Sequence, residues 1–308
     1  MVKSTKKHRI WFPLLRVLLF AGFLVMLFMQ LVNSDLSFAS FQMSSVVYLI
    51  LVFLLMPLNW WIEYRKWMAL LRFNSVNSTD LIERSSFFAG IVTGMLTPNM
   101  LGNFIGRMMY FRKRERITIT MMTLFASFSQ FMVSMIFGSL AIVILLKTPL
   151  GELELAQMWP PVLLIVILLL VYFNIDKVVR FLFPRRHRFI FREHRKRQIL
   201  RFSFYLLLLS ILRLLVFTVQ FFIALEAFGA EVDGDLIWWI WQYYGWLTCV
   251  PSLFLGKLVV RDSIALWVLG FAGLSAAAII QASIFIWIVN LLLPTLVALF
   301  ILKKSPAL

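Results

Sequence analysis

Apolar positions along this chain do not alternate with polar ones. They gather in long uncharged blocks separated by short, mostly basic segments. A block of about 20 apolar residues makes a helix long enough to cross the ≈30 Å hydrocarbon core of a bilayer. A helix also satisfies its own backbone hydrogen bonds where no water is present. On this pattern we place full spans at 13–33, 44–62, 117–147, 159–175, 202–228 and 275–302. Two further blocks, 86–106 and 236–272, carry proline and glycine near their middles and read as helical hairpins. The expected fold is an all-α integral membrane protein: a polytopic helical bundle of six full spans plus two re-entrant hairpins, with eight helical segments in all.

The block at 86–106 is about 21 residues, long enough to be an ordinary span, and charge decides against that. Lys and Arg concentrate on the cytoplasmic side of membrane proteins. With a hairpin at 86–106, the N-terminal tail, the segments 63–85 and 107–116, the loop 176–201 and Lys303-Lys304 all fall inside. Counting Arg16 at the inner edge of the first span, only Lys147, Arg213, Lys257 and Arg261 of the 30 Lys and Arg then lie elsewhere. The opposite side receives Asp35, Glu152, Glu154, Glu231, Asp233 and Asp235. A full span would instead place Arg107, Arg112, Lys113, Arg114, Arg116 and the whole basic run from Lys177 to Arg201 outside. The chain is therefore read as cytoplasmic at both termini. The stretch 236–302 has a second solution, three complete spans, that leaves the C-terminus on the same side.

Composition narrows the picture further. The chain is 62% hydrophobic and leaves no room for a soluble domain, so 1–308 is read as one transmembrane domain with a cytoplasmic basic loop at 176–201. The N-terminal basic tail and apolar run have the look of a signal peptide. The run is long enough to span and Ser37-Phe38-Ala39 is a poor cleavage site, so a retained anchor is expected. A lone cysteine, Cys249, excludes an internal disulfide framework. His8, His187 and His194 lie in basic tails or loops, and no metal or other cofactor is expected. The net charge of +16 lies on the cytoplasmic face, where it suits anionic lipid headgroups rather than nucleic acid.

The order of segments repeats. Residues 10–148 read span, span, hairpin from inside, long span; residues 157–303 read the same series turned over. Both hairpins place a proline, then a glycine, then an arginine: Pro98, Gly102 and Arg107 in the first, Pro251, Gly256 and Arg261 in the second. Proline breaks the helix at the bend and glycine lets backbones approach. Inverted repeats with broken helices typify transporters, whose substrate sites lie where those helices meet.

Candidate functional residues follow from this layout. Arg213 sits deep in the span 202–228, where a charged side chain needs a partner. That partner is either a substrate phosphate, which guanidinium binds in bidentate fashion, or a carboxylate or carbonyl of the bundle. Arg107 and Arg261 stand at hairpin ends, as phosphate-attracting mouths or as a snorkelling anchor and a partner of Asp262 respectively. Asp262 is a candidate for coupling to a cation or proton. Gln130, Gln220, Gln281 and Asn290 are expected to hydrogen-bond between helices. Trp238, Trp239, Trp241 and Trp246 suit an interfacial belt.

Three stretches together carry a family resemblance: Glu63-Tyr64-Arg65-Lys66-Trp67 with Leu70-Leu71, Pro98…Gly102…Arg107, and Pro251…Gly256…Arg261-Asp262. Over roughly 10–303 the chain resembles the transmembrane flippase-like region of lysylphosphatidylglycerol synthases and its stand-alone relatives. That resemblance implies a bacterial inner-membrane protein that moves lipids or lipid-linked headgroups between leaflets. The chain departs from the family pattern at Asn103, where an acidic residue usually follows the first glycine, and at Lys257 and Leu258 in the second turn. The expected function is a lipid flippase-like transporter, not an enzyme, with anionic or polyprenyl-linked lipids as partners and Arg213, Arg107 and Arg261 on their phosphates. The alternatives are a non-transporting assembly or regulatory subunit and a membrane enzyme acting on lipid-linked substrates.

Overall fold

The computed structural model describes residues 45–97, 100–113, 115–145, 159–182, 196–250 and 256–304, with positions 25, 28, 29 and 32 besides. Every regular element among them is helical. Four helices are long and apolar enough to cross a membrane: Val46–Phe73, Arg116–Leu145, Lys196–Ala227 and Ala276–Leu302. This is the composition of a multi-pass membrane protein. The expected span at 13–33 and the bends at Pro98 and Pro251 lie outside the described residues.

Helix α1 (Val46–Phe73) buries Val52, Met56, Asn59, Ile62, Lys66, Trp67, Leu70 and Leu71. This three-and-four spacing makes one continuous stripe. The helix runs well past Ile62, where the expected span 44–62 ends. Glu63 and Lys66 lie within the helix, and the chain leaves it only at Asn74. The reason is packing: Trp67, Leu70 and Leu71 are almost fully enclosed and hold the added turns in the core.

Helix α2 (Asp80–Met95) starts at Thr79, whose side chain accepts from the amide of Ile82. Asp80 and Glu83 in its first turn suit the positive end of the helix dipole. Helix α3 (Gly102–Met109) follows a tight reversal and packs back along α2. A Cβ on Gly102 would collide with the carbonyl of Thr93, and one on Gly106 with that of Ala89. Gly90 and Gly94 on α2, with the same four-residue spacing, face Asn103 and Arg107 on α3. Small residues at this period let two helices close on each other where the hydrophobic effect offers no drive. The Thr97 hydroxyl accepts from the amide of Gly102 and closes the turn. Neither helix reaches the length of a span.

Helix α4 (Arg116–Leu145) is followed by α5 (Trp159–Phe173) and the short α6 (Ile175–Leu182). At 15 residues, α5 is shorter than the full span expected at 159–175. Tyr172 ties it down, donating to the Ser203 carbonyl at 2.9 Å and meeting the Ser129 hydroxyl at 2.9 Å. Helix α7 (Lys196–Ala227) takes in the end of the expected basic loop. Helices α8 (Leu236–Cys249) and α9 (Gly256–Gly270) occupy the second hairpin region and pack on each other. Helix α10 (Ala276–Trp287) then continues through a five-residue π segment, Ile288–Leu292, into α11 (Leu293–Lys304). Pro294 accounts for the π segment, because its ring has no N–H and pushes away the carbonyl of residue 290.

The packing partners are reciprocal. Helix α2 lies on α11 and α8 lies on α4, so the first arm of each short-helix pair packs on the long helix of the other half. The second arms, α3 and α9, pack on α4 and α10 of their own halves. Helices α1 and α7 pack on each other. Close approach of α4 and α8 depends on Gly138 and Gly245: a Cβ on Gly138 would stand 2.9 Å from the Cα of Gly245.

Candidate functional site

One carboxylate organises the central polar residues. Glu63 of α1 places Oε2 2.9 Å from Nη1 of Arg213 on α7 and Oε1 3.2 Å from Nη2 of Arg107 on α3. Lys66, one turn further on, has its Nζ 3.9 Å from Oε2. Three cations thus surround one anion, leaving two positive charges uncompensated. The Lys66 ammonium also donates to the Ala126 carbonyl at 3.4 Å.

Aromatic faces take up part of the remaining charge. The Arg107 guanidinium lies 4.7 Å from the centre of the Trp67 ring and 5.6 Å from that of Phe87. Arg213 lies 5.2 Å from the centre of Phe217. The ring quadrupole attracts a cation held this way. Arg107 and Lys66 are each 1% exposed, whereas the side chains of Glu63 and Arg213 are 19% and 24% exposed. The open side of the cluster is therefore the Glu63–Arg213 pair.

From Arg213 a chain of side-chain hydrogen bonds runs along α1. Its Nε donates to Asn59 Oδ1 at 2.9 Å, and Asn59 Nδ2 donates to Asn290 Oδ1 at 2.9 Å. Asn290 Nδ2 donates to Gln220 Oε1 at 3.0 Å, and Gln220 Nε2 donates to the Val52 carbonyl at 3.0 Å. Asn290 belongs to the π segment, so the widened turn sets its place between α1 and α7. From Val52 to Lys66 this polar track covers about 21 Å of helix rise.

The sequence-predicted residues divide into two groups. Arg213 and Arg107, far apart in the chain, share Glu63. Arg107 stands neither at an open mouth nor at the surface as a snorkelling anchor; it is enclosed. Arg261 is elsewhere: its Nε donates to the Tyr243 hydroxyl at 3.0 Å. Asp262 accepts from Ser283 at 2.6 Å. Among the described residues, Arg261 forms no ion pair with Asp262, and nothing joins either of them to Glu63. Gly102 closes the α2–α3 turn, and Gly256 begins α9. Gln130 donates to the Ser210 carbonyl at 3.4 Å, joining α4 to α7. Trp241 donates to Thr218 at 3.1 Å and packs edge-on against Phe137, so it serves the bundle as well as any interface.

Glu63, Lys66 and Asn59 were not singled out from sequence as members of a site. A signal existed in their spacing. Positions 59, 63 and 66 fall on one helical face. In comparisons with known protein families, curated proteins and solved structures, the chain matches none.

Proposed function

We propose that this chain is a lipid transporter of flippase type in a bacterial cytoplasmic membrane, similar in design to the transmembrane region of lysylphosphatidylglycerol synthases. Both termini face the cytoplasm. The α2–α3 pair dips in from that side and the α8–α9 pair from the other, as two inverted halves. The reciprocal packing of these pairs supports this arrangement. The cargo is an anionic or polyprenyl-linked lipid whose headgroup crosses beside α1 and α7 while its tails stay in the bilayer. No catalytic step is involved.

The observation that carries this reading is the surplus of two positive charges around Glu63. A cation held deep in a bilayer is costly, and a neutral pair would have served for structure alone. A phosphate entering beside the exposed edge of Arg213 meets guanidinium groups suited to bidentate contact. Glu63 then acts as the counter-ion that holds the arginines until the phosphate arrives and competes for them. Asn59, Asn290 and Gln220 offer polar partners further along the same track. Arg261 and Tyr243 form a separate polar contact for the opposite leaflet.

The test is reconstitution into liposomes with headgroup-labelled lipids and a reagent confined to the outside. The purified chain should speed exchange of anionic lipids over zwitterionic ones. Arg213→Gln should slow it about tenfold, as expected from losing one charged hydrogen bond, with normal membrane insertion. Exchange equal in the variant and the wild type would overturn the reading in favour of a non-transporting subunit.

A further inference from the structure

A second concentration of arginines lies on α1, α2 and α7, outside the Glu63 cluster. Two adjoining hollows make one cleft between α1, α2 and α7. The first, about 270 Å³, is lined by Tyr64, Arg65, Arg72, Asp80, Arg84 and Tyr205 among others. The second, about 560 Å³, shares Arg72 and Tyr205 and adds Arg201. Stacking of Phe73 on Phe202, with ring centres 4.0 Å apart, closes the α1–α7 contact beside it.

Among the described residues the four arginines have no carboxylate partner within ion-pair distance. Every ion pair among the described residues is made by Glu63. Asp80, the one acid lining the cleft, comes within 4.0 Å of none of the four. Arg65 lies 5.4 Å from the centre of the Trp61 ring. The cleft therefore presents four guanidinium groups against one carboxylate, with two tyrosine hydroxyls in the same wall.

We propose that this cleft binds a phosphate group carrying two or more negative charges, as on a phosphomonoester or a diphosphate. Guanidinium forks match phosphate oxygens in geometry and outlast competition from water better than an ammonium does. The charge selects within the phosphates. A phosphodiester brings one negative charge and leaves most of the cleft's surplus in place. A phosphomonoester brings about 1.5–2 at neutral pH, and a diphosphate more. Position adds to the case. Ala69, which lines both hollows, is six residues beyond Glu63 on α1, which is about 9 Å of helix rise. A phosphate held here waits next to the proposed transport path. The inference deepens that reading by naming the headgroup class, yet it concerns binding alone.

The measurement is direct binding to the purified full-length chain in neutral detergent, by native mass spectrometry or titration. The probes are phosphatidic acid, a polyprenyl diphosphate, phosphatidylglycerol and soluble pyrophosphate. Arg72→Gln/Arg84→Gln should weaken binding of phosphatidic acid and polyprenyl diphosphate at least tenfold. Arg112→Gln/Lys113→Gln removes the same charge outside the cleft and should change it less than twofold. Arg72→Lys, which keeps the charge and loses the fork, should fall between. Tighter binding of the two lipids than of pyrophosphate identifies a membrane-borne ligand; equal binding of pyrophosphate identifies a soluble one. Equal loss in both double variants, or phosphatidylglycerol bound as tightly as phosphatidic acid, would overturn the site. Either result stands apart from the liposome experiment, since Arg213→Gln leaves the cleft untouched.

Discussion

Replacing Glu63 by Gln removes the only anion from a cluster that holds Lys66, Arg107 and Arg213. The shape hardly changes, so the effect is electrostatic. At N···O distances of 2.9 and 3.2 Å, each arginine–carboxylate attraction is about 5 kcal/mol at an effective dielectric of about 20. Much of that offsets the burial of the charges. Breaking a buried pair from one side typically destabilises by about 3–5 kcal/mol, because the partners stay charged and buried. For a chain of this size, that lowers the unfolding midpoint by roughly 6–10 °C at about 2 °C per kcal/mol. Arg213→Gln should cost less, because it relieves a surplus of positive charge. The assay is the fraction of detergent-solubilised protein still monodisperse after heating, for wild type, both single variants and Glu63→Gln/Arg213→Gln. The double variant should be more stable than the sum of the two losses predicts, by about 1–3 kcal/mol. Strict additivity, or Arg213→Gln costing as much as Glu63→Gln, would refute the view of Glu63 as the shared counter-ion.

Two other outcomes are expected. Gly106→Val forces a side chain into the Ala89 carbonyl and should destabilise by about 1–3 kcal/mol, read as a lower midpoint in the same heating assay; a neutral effect would show that α2 and α3 do not pack this closely in the membrane. In a Cys249→Ser background, Lys113→Cys should react with a membrane-impermeant thiol reagent only from the cytoplasmic side; labelling from the opposite side would abolish the re-entrant arrangement and the orientation together.

The long helices were legible because a span must be apolar for its whole length. Blocks near 44–62, 117–147, 202–228 and 275–302 became the four long apolar helices. Their ends were less legible for the same reason. Apolar content stops at Ile62, yet α1 continues to Phe73, because Glu63 and Lys66 are neutralised or enclosed within the bundle instead of facing water. Arg213 could be recognised as a residue in need of a partner. Which carboxylate it meets could not be, since Glu63 lies 150 positions away and only the α1–α7 contact brings them together. The π segment was equally hidden: Pro294 marks a disturbance, but the placement of Asn290 between Asn59 and Gln220 depends on three helices at once.

The ratio of charges in the central cluster separates structure from transport more sharply than any single contact. A fold that only needed to tie α1, α3 and α7 together would gain most from a one-to-one pair, since each further cation adds burial cost and repels its neighbours. Here Lys66 and Arg107 are enclosed and stay fixed by the Ala126 carbonyl and the Trp67 and Phe87 rings. The Glu63–Arg213 edge keeps the remaining exposure. In the proposed transporter, two enclosed cations would bias the site toward an anion, and the one accessible arginine would exchange partners without disturbing them. Among the described residues the arginine cleft nearer the end of α1 has no carboxylate in ion-pair contact, so under the proposed function an anionic headgroup moving along α1 and α7 would pass from an open basic surface to one where Glu63 competes for the same guanidinium. In that proposal the competition would let the Glu63 site release what it binds, which a channel of arginines alone would not do.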